Sequence, residues 1–406
     1  MLRATKTHRA LVAGTLIAGV GALGSPALAQ SFDASLDLGV ELKFFPEEPQ
    51  FAGQLEDVQL SFFAEAEFEW ESDNRQHFAR FTPFVRVDEA DDERTHGDIR
   101  ELFYQYTGDR FDALVGVNRV FWGVTESRHL INVINQIDQV ENTDEEDFLG
   151  QPMINLGYQS DVGRFDLFVL PYHRERTFAG IDGRLRGPLP VDPDDVTYED
   201  PEGQNAIDLA FRYSHSIGVA DLGLSYFDGT SREPLLTPNG DNSAFSQFYQ
   251  DISQFGVDLQ LTTDATLWKL EALRRQDQGP DFSAYVLGVE HTFFQVADSD
   301  KDLGVLVELL RDFRDPVEAP LTVFDDDLFF GTRLAFNDIN DTALLAGAFV
   351  DLNDGSSAFR AEFERRVSDS FFLEVEAQGF FNVDAANPAA AFMDDSFVIV
   401  RLTSFF

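Results

Sequence analysis

The chain has 406 residues, no cysteine and a formal net charge of −42. Without cysteine it has neither disulfides nor thiolate chemistry, and a charge that negative repels nucleic acid and other polyanions at long range. Its 41 Phe argue against an acidic disordered chain, because so much aromatic surface has to be buried somewhere, and lipid is one candidate.

Arg3, Lys6, His8 and Arg9 make a basic start. Residues 10–23 are an apolar run too short and too rich in Gly and Ala for a good membrane span, and Ala27-Leu28-Ala29 is a small-residue cleavage site. Residues 1–29 therefore read as a secretory signal cut after Ala29, with an uncleaved anchor as the alternative, and 30–406 as one exported domain. No later segment reaches about 18 consecutive apolar residues, which excludes a transmembrane helix. A membrane barrel stays open, since its lipid face uses only every second residue.

The first exported stretch sets that pattern. Phe32, Ala34, Leu36, Leu38, Val40, Leu42 and Phe44 alternate with Asp33, Ser35, Asp37, Glu41 and Lys43, giving a strand with one apolar and one wet face. The same unit recurs at 58–70, 77–87, 98–107, 111–121, 152–159, 164–171, 205–215, 221–228, 249–262, 266–276, 282–293, 302–311, 327–337, 342–351, 357–367, 371–381 and 396–406. Eighteen strands are predicted, within a range of 16–18. Short connections (72–76, 108–110, 160–163, 216–220, 263–265, 294–301, 338–341, 368–370) alternate with long ones (46–55, 88–97, 122–151, 172–204, 229–248, 312–326, 382–395). That is the expected layout of an all-β, antiparallel, up-and-down transmembrane barrel with short periplasmic turns and long extracellular loops. Trp70, Tyr106, Tyr158, Tyr213, Trp268, Phe293, Phe336, Phe371 and Phe406 cluster at the short-turn end, as an interfacial girdle would. The last strand, SFVIVRLTSFF, ends in Phe406 and resembles the C-terminal signal read by barrel-assembly machinery, with Ser404 departing from the usual apolar residue.

One stretch breaks the alternation. In 121–150, Leu130, Val133, Ile134, Ile137 and Val140 recur at helical spacing, and an acidic run follows. The spacing predicts a short helix over 126–140 that lays Leu130, Ile134 and Ile137 on the inner wall. It is the third long-side connection, by analogy the position used by the constriction loop of general porins. Arg119, Arg128 and His129 are then expected to face Asp138, Glu141 and the run Asp144, Glu145, Glu146, Asp147 across the opening, with Glu126 nearby. A loop folded over the outside rim is the alternative.

Parity turns further charges inward: Glu65, Glu67, Glu69 and Glu71, then Arg80 and Arg86, then Arg360, Glu362, Glu364 and Arg366, then Glu374 and Glu376. On the lipid face such side chains would cost about 2–4 kcal/mol each at mid-depth. They either pair across strands or line a hydrated pore, and an excess of acid predicts a cation preference. No nucleotide, metallopeptidase or serine-hydrolase motif occurs, and no cofactor or metal site is predicted. Ser214-His215-Ser216 is the weak hint of a barrel hydrolase. Asp192–Asp195, Asp298/Asp300/Asp302 and Asp325–Asp327 are read as solvated acidic loops before cation sites.

The run Gly116-Val117-Asn118-Arg119-Val120-Phe121-Trp122-Gly123-Val124-Thr125-Glu126-Ser127, followed by Ile131-Asn132-Val133-Ile134-Asn135-Gln136-Ile137-Asp138, resembles a signature of poorly characterised Gram-negative outer-membrane barrels. That signature runs Gly-Arg-Gln-x-x-x-Trp-Gly-Glu-Ser, then Ile-Asn-x-x-Asn-Pro-x-Asp. Trp122, Gly123, Asn132 and Asn135 carry the match; Val117 and Asn118 replace its Arg and Gln, and Gln136 its Pro. More distantly the chain is similar to alginate-export porins, which also have a Gly-Arg-Gln run before an inward loop. The resemblance implies a porin-like outer-membrane barrel with a transport role and no known substrate. The partners expected are membrane lipid and lipopolysaccharide, the assembly machinery at Phe406 and an unidentified small solute, with no nucleic acid. The function expected is passive diffusion of small, cationic or moderately apolar solutes. A surface-binding barrel with an occluded lumen is the runner-up.

Overall fold

The computed structural model describes residues 31–406; the expected signal segment and the expected cleavage site at Ala29 lie outside them. Strands are numbered in chain order. The first seven, β1 (Ser31–Phe44), β2 (Val58–Glu71), β3 (His77–Asp88), β4 (His96–Thr107), β5 (Phe111–Asn118), β6 (Gln151–Ser160) and β7 (Gly163–Leu170), lie side by side. After β8 (Val191–Tyr198) come β9 (Asp208–Ile217) and β10 (Ala220–Thr230), and then the short β11 (Leu235–Pro238) and β12 (Phe245–Tyr249). The wall resumes with β13 (Asp251–Thr263), β14 (Thr266–Gln276), β15 (Phe282–Phe293), β16 (Asp302–Asp312), β17 (Asp326–Ala335), β18 (Ala343–Asp351), β19 (Ser357–Ser368), β20 (Phe371–Phe381) and β21 (Phe397–Phe405).

Eighteen of these strands pair antiparallel with their wall neighbours, and β21 pairs with β1 from Phe44↔Val398 to Asp37↔Phe405, so the sheet closes without an edge strand. Phe406 completes the seam: its N–H donates to Leu36 O at 3.0 Å, and Leu36 N–H donates to Phe406 O at 3.1 Å. Closure matters because an open strand edge cannot satisfy its backbone groups in hydrocarbon.

The pleat sorts the residues as their alternation requires. On β1, Asp37, Glu41 and Lys43 are buried, while Leu38, Leu42 and Phe44 are each more than 40% exposed. The exposed face is therefore the apolar one, the inverse of a water-soluble sheet. It forms a belt that includes Phe62, Val85, Ile154, Leu209, Phe255 and Phe330. Tyr106, Phe111, Trp268, Phe293 and Phe371 are exposed at its short-turn margin.

Three expectations need correction. First, 126–140 forms no helix; its backbone is irregular. The reason is competition for backbone hydrogen bonds: Ile131 N–H goes to Glu271 on the wall, Asp138 N–H to Asp147 O and Val140 N–H to Thr177 Oγ1, and β-branched and Asn residues are weak helix formers. Second, β5 stops at Asn118, three residues short of the predicted end, because the chain turns inward there. Third, the long connections 171–207 and 231–250 are not bare loops. β8, β11 and β12 form a separate three-stranded sheet with β8 and β12 parallel.

The 171–207 connection also spans the mouth. Arg184 is fully buried; it pairs with Asp395 at 2.5 Å and donates to the carbonyls of Asp394, Glu56, Leu55 and Glu47 at 2.6–3.2 Å. Those partners belong to the loops beside β1 and β21, which lie six and seven wall strands from β7.

Candidate functional site

Residues 119–150 enter the lumen and touch it on both sides. Asn135 ties the root of the excursion together. Its amide nitrogen donates to Asn118 O and Leu149 O, both at 2.9 Å, and its amide oxygen accepts from Val120 N–H at 2.8 Å. Asn132 accepts from Trp122 N–H at 3.3 Å. Trp122 is buried edge-on against Phe168, with the Arg212 guanidinium 5.1 Å from its ring centroid. Gly123 has φ 145°, in the region that favours glycine, and a Cβ there would lie 2.8 Å from Glu271 Oε1. The four signature residues thus shape the entry turn and clamp its two ends.

That turn docks on carboxylates of the far wall. Glu271 on β14 accepts from Val124 N–H, Thr125 N–H and Thr125 Oγ1 at 2.7–3.0 Å, and from Ile131 N–H at 3.3 Å. Glu308 on β16 accepts from Ser127 N–H at 2.8 Å and Glu126 N–H at 3.1 Å. Glu126 itself pairs with Lys269 at 2.9 Å and Arg333 at 3.3 Å. β16 lies eight strands round the wall from β5, close to diametrically opposite. Behind the turn, Leu130, Ile131, Val133 and Ile134 are buried in an apolar cluster with Phe227, Ile252, Leu273 and Leu306. Outside it, Arg232 holds the Ile134 carbonyl at 3.1 Å while paired with Asp208 at 2.9 Å.

The second half returns as a small hairpin. Asp138 N–H donates to Asp147 O at 2.8 Å, and Leu149 N–H to Gln136 O at 2.9 Å. Ile137, expected on the wall, instead bridges Phe148 within this hairpin and is half-buried. The tip meets a band of charge running from β19 through β21 and β1 to β4. Glu141 takes a two-pronged pair from Arg86 at 2.6 and 2.7 Å. Arg94 donates to Val140 O at 2.8 Å and pairs with Glu41 and Asp88. Arg100 lies within 4.0 Å of Asp138, Glu141 and Asp147, and 3.5 Å from Glu65. On the other flank Arg360 pairs with Asp144 and Glu362 at 2.6 Å and with Glu376 at 3.2 Å. Arg401 pairs with Glu41 at 2.7 Å and lies 3.6 Å from Glu374.

The cations that meet the acidic run are therefore wall arginines, not the loop's own. Arg128 pairs with Asp312 at 3.1 Å, away from the acidic run. His129 packs edge-on to Phe121, and burial pushes its imidazole down to about 3, so it carries no charge at neutral pH. Arg119 is half-buried at the root, and Glu145 sits at the tip with φ 60°; Glu146 donates its N–H to Asp144. Arg80 pairs with Glu69 and with Glu101 at 3.2 Å, and lies 3.9 Å from Glu67. Reading by parity put Glu41 on the wet face of the first strand but passed over Lys269, Glu271, Glu308 and Arg401, although the same alternation places each of them inward. Arg94 and Arg100 were not readable that way, because one lies in a connection and the other at a bulge in β4.

A lumen-side cavity lies between the hairpin tip and the wall from β17 to β21. It is lined by Asp144, Asp147, Glu362, Glu364, Glu374 and Glu376, and by Arg333, Arg360 and Arg401. His96, Asp138 and Glu141 come within 4.8 Å of one another. They do not fit a cation, because Arg86, Arg94 and Arg100 already occupy that ground. His215 and Ser216 do not form a hydrolytic pair. The imidazole contacts Tyr213 and the Val162 carbonyl, and the Ser216 hydroxyl donates to Asp221.

Glu141 makes the tip pH-dependent. Burial alone would raise its carboxyl; Arg86, Arg94 and Arg100 outweigh that and hold it at about 2. Its ordinary value is about 4.3. The carboxylate therefore anchors the tip fully above about pH 4.3, and the anchoring is lost as pH falls through about 2. Breaking one side of such a buried pair costs about 3–5 kcal/mol. A spin label on Thr143→Cys, unique in a cysteine-free chain, is expected to be immobile at pH 7 and 5 and mobile at pH 2. Adding Glu141→Gln should mobilise it at every pH. A label that stays immobile at pH 2 counts against this anchoring.

No protein-family model matches the chain, and no curated protein matches it. Among solved structures it is similar to variants of the porin of Rhodopseudomonas blastica. Three of these align at TM-scores of 0.43, 0.44 and 0.44 with 12, 14 and 13% identity, covering 93% of this chain and 100% of each of theirs. The eighteen-strand barrel stands on this chain's own strand pairing and not on that likeness.

Proposed function

We propose that the chain is an outer-membrane channel for passive diffusion of small solutes, with a preference for cations. The observation that carries this reading is the lining of the lumen-side cavity, where six carboxylates stand against three guanidinium groups. Fixed charge at a narrow passage sets which ion enters, because low-dielectric walls focus its field. The inward loop anchored on both sides of the lumen narrows the path, as a constriction would. In this reading membrane lipid and lipopolysaccharide surround the apolar belt, Phe406 presents the assembly signal, and residues 1–29 direct export. The solute is small and cationic or moderately apolar. Reconstitution into planar bilayers tests it: stepwise conductance with a cation-selective reversal potential is expected, and anion selectivity or a silent barrel would overturn it.

The strap pinned by Arg184 across the mouth favours a second reading, a barrel with an occluded lumen whose 171–207 and 231–250 segments bind a surface partner. Conductance that stays absent after deletion of those segments would select it.

A further inference from the structure

The inward turn at Asn118 leaves the wall incomplete. β4 pairs with β5 only from Leu102↔Val117 to Thr107↔Asp112, so residues 96–101 of β4 have no strand on that side. Across the gap, β6 begins at Gln151, level with Asn118. This leaves an opening beside β4, above the level at which β5 ends and β6 begins. Gly150 packs into its lower corner, where a Cβ would lie 2.3 Å from Ile99 O. The upper rim is the chain at Tyr172–Arg174: Gln151 Nε2 donates to Tyr172 O at 2.6 Å, and Arg174 pairs with Asp98 at 2.6 Å.

A cavity of about 450 Å³ occupies this gap, within the range of small-molecule sites. Ile99, Val117, Pro152 and Tyr172 are among its walls, and so is Phe84. Ile99 and Val117 lie on the lipid-facing side of the pleat, the side of exposed Leu102 and Val115. Phe84 is on the lumen side, 93% buried, with the Arg100 guanidinium 3.9 Å from its ring centroid. Residues from both faces of the wall therefore line the cavity. Its depth is that of the leaflet. Ile99 stands seven residues above Tyr106, which at about 3.3 Å per residue and a tilt of about 40° is about 18 Å above the aromatic margin, inside a band about 25 Å tall. Val85 and Val87 on the adjacent strand are about half exposed, so the belt continues at that height.

We propose that this gap is a side portal that takes the alkyl chain of an amphiphile from the surrounding leaflet, with the chain against Ile99, Val117 and Pro152 and its end at Phe84. Lipid is the medium the belt faces, and the lining is mostly apolar, with the Arg174–Asp98 pair at the rim. The proposal is independent of whether the lumen conducts ions.

Contact quenching by brominated chains tests it. Trp70 and Trp268 are replaced by Phe, leaving buried Trp122 as a constant background, and the protein is placed in phosphatidylcholine vesicles with mid-chain dibrominated acyl groups. Phe84→Trp is expected to be quenched at least half as strongly as the lipid-facing control Val85→Trp. Adding Val117→Phe should reduce that to the level of the lumen-facing control Leu114→Trp. Quenching of Phe84→Trp no greater than that of Leu114→Trp overturns the proposal. If Phe84→Trp does not give a heat-modifiable barrel, photolabelling of the unaltered chain with a diazirine-bearing alkyl amphiphile decides. Label on Phe84 supports the portal, and label confined to outward residues removes it. Both readouts are blind to conductance, so a silent barrel would leave this result standing.

Discussion

Deleting residues 127–147 is expected to raise single-channel conductance several-fold while the protein still migrates as a heat-modifiable barrel. The deletion removes the hairpin tip that meets Arg86, Arg94, Arg100 and Arg360, and the buried run from Leu130 to Ile134. It leaves the wall untouched. Asn118 and Gln151 are paired neighbours, so the shortened connection needs to bridge only one strand spacing. The charges uncovered on β3, β4 and β19 then face water in a wider lumen, where hydration replaces the pairs they lose; none is moved into lipid. Unchanged conductance would mean that the passage, if one exists, runs elsewhere. Loss of the heat-modifiable form would mean that the loop is a structural plug and not a constriction.

The wall was legible because its signal repeats. Each strand states its own alternation, and eighteen independent statements agree on strand count and on which face is wet. Only ends and details moved, such as β5 stopping at Asn118. The lumen was legible as a list of inward charges but not as a set of pairs. Parity assigns Arg80 and Glu101 to the same face, yet only register brings them to 3.2 Å. The stretch 126–140 misled for a physical reason. Helical spacing of Leu130, Ile134 and Ile137 predicts internal backbone bonding, but Glu271, more than a hundred residues away, takes the Ile131 N–H, and Asp147 O takes that of Asp138. A local pattern cannot report a distant carboxylate. The small sheet of β8, β11 and β12 was hidden similarly, since β8 and β12 pair across about fifty residues of intervening chain. The signature residues fared better: Asn132, Asn135 and Gly123 were marked by resemblance, and their hydrogen bonds and backbone angle now give each a mechanical role.

Neutralising three wall carboxylates together, Glu362→Gln, Glu374→Gln and Glu376→Gln, is expected to abolish cation selectivity and carry the reversal potential in a salt gradient toward the anion side. The cavity beside the hairpin tip has six acids and three arginines; the triple substitution leaves three of each. Balance is not the end point, however. Arg360 loses two of its three close carboxylates, and Arg401 loses Glu374, so both guanidinium groups gain influence on the path. Unit charges 4 Å apart interact by about 4 kcal/mol at an effective dielectric of about 20, enough to decide which ion enters a narrow passage. Screening sets the conditions: the Debye length is about 10 Å at 0.1 M salt and about 3 Å at 1 M, so the change should be large in dilute salt and small in concentrated salt. Asp192→Asn, Asp194→Asn and Asp195→Asn remove the same charge from the outer sheet and should leave the reversal potential where it was. If the outer substitutions shift selectivity as much as the wall ones, the preference comes from the net charge of the mouth, and the cavity beside the tip loses its claim to be the selective passage.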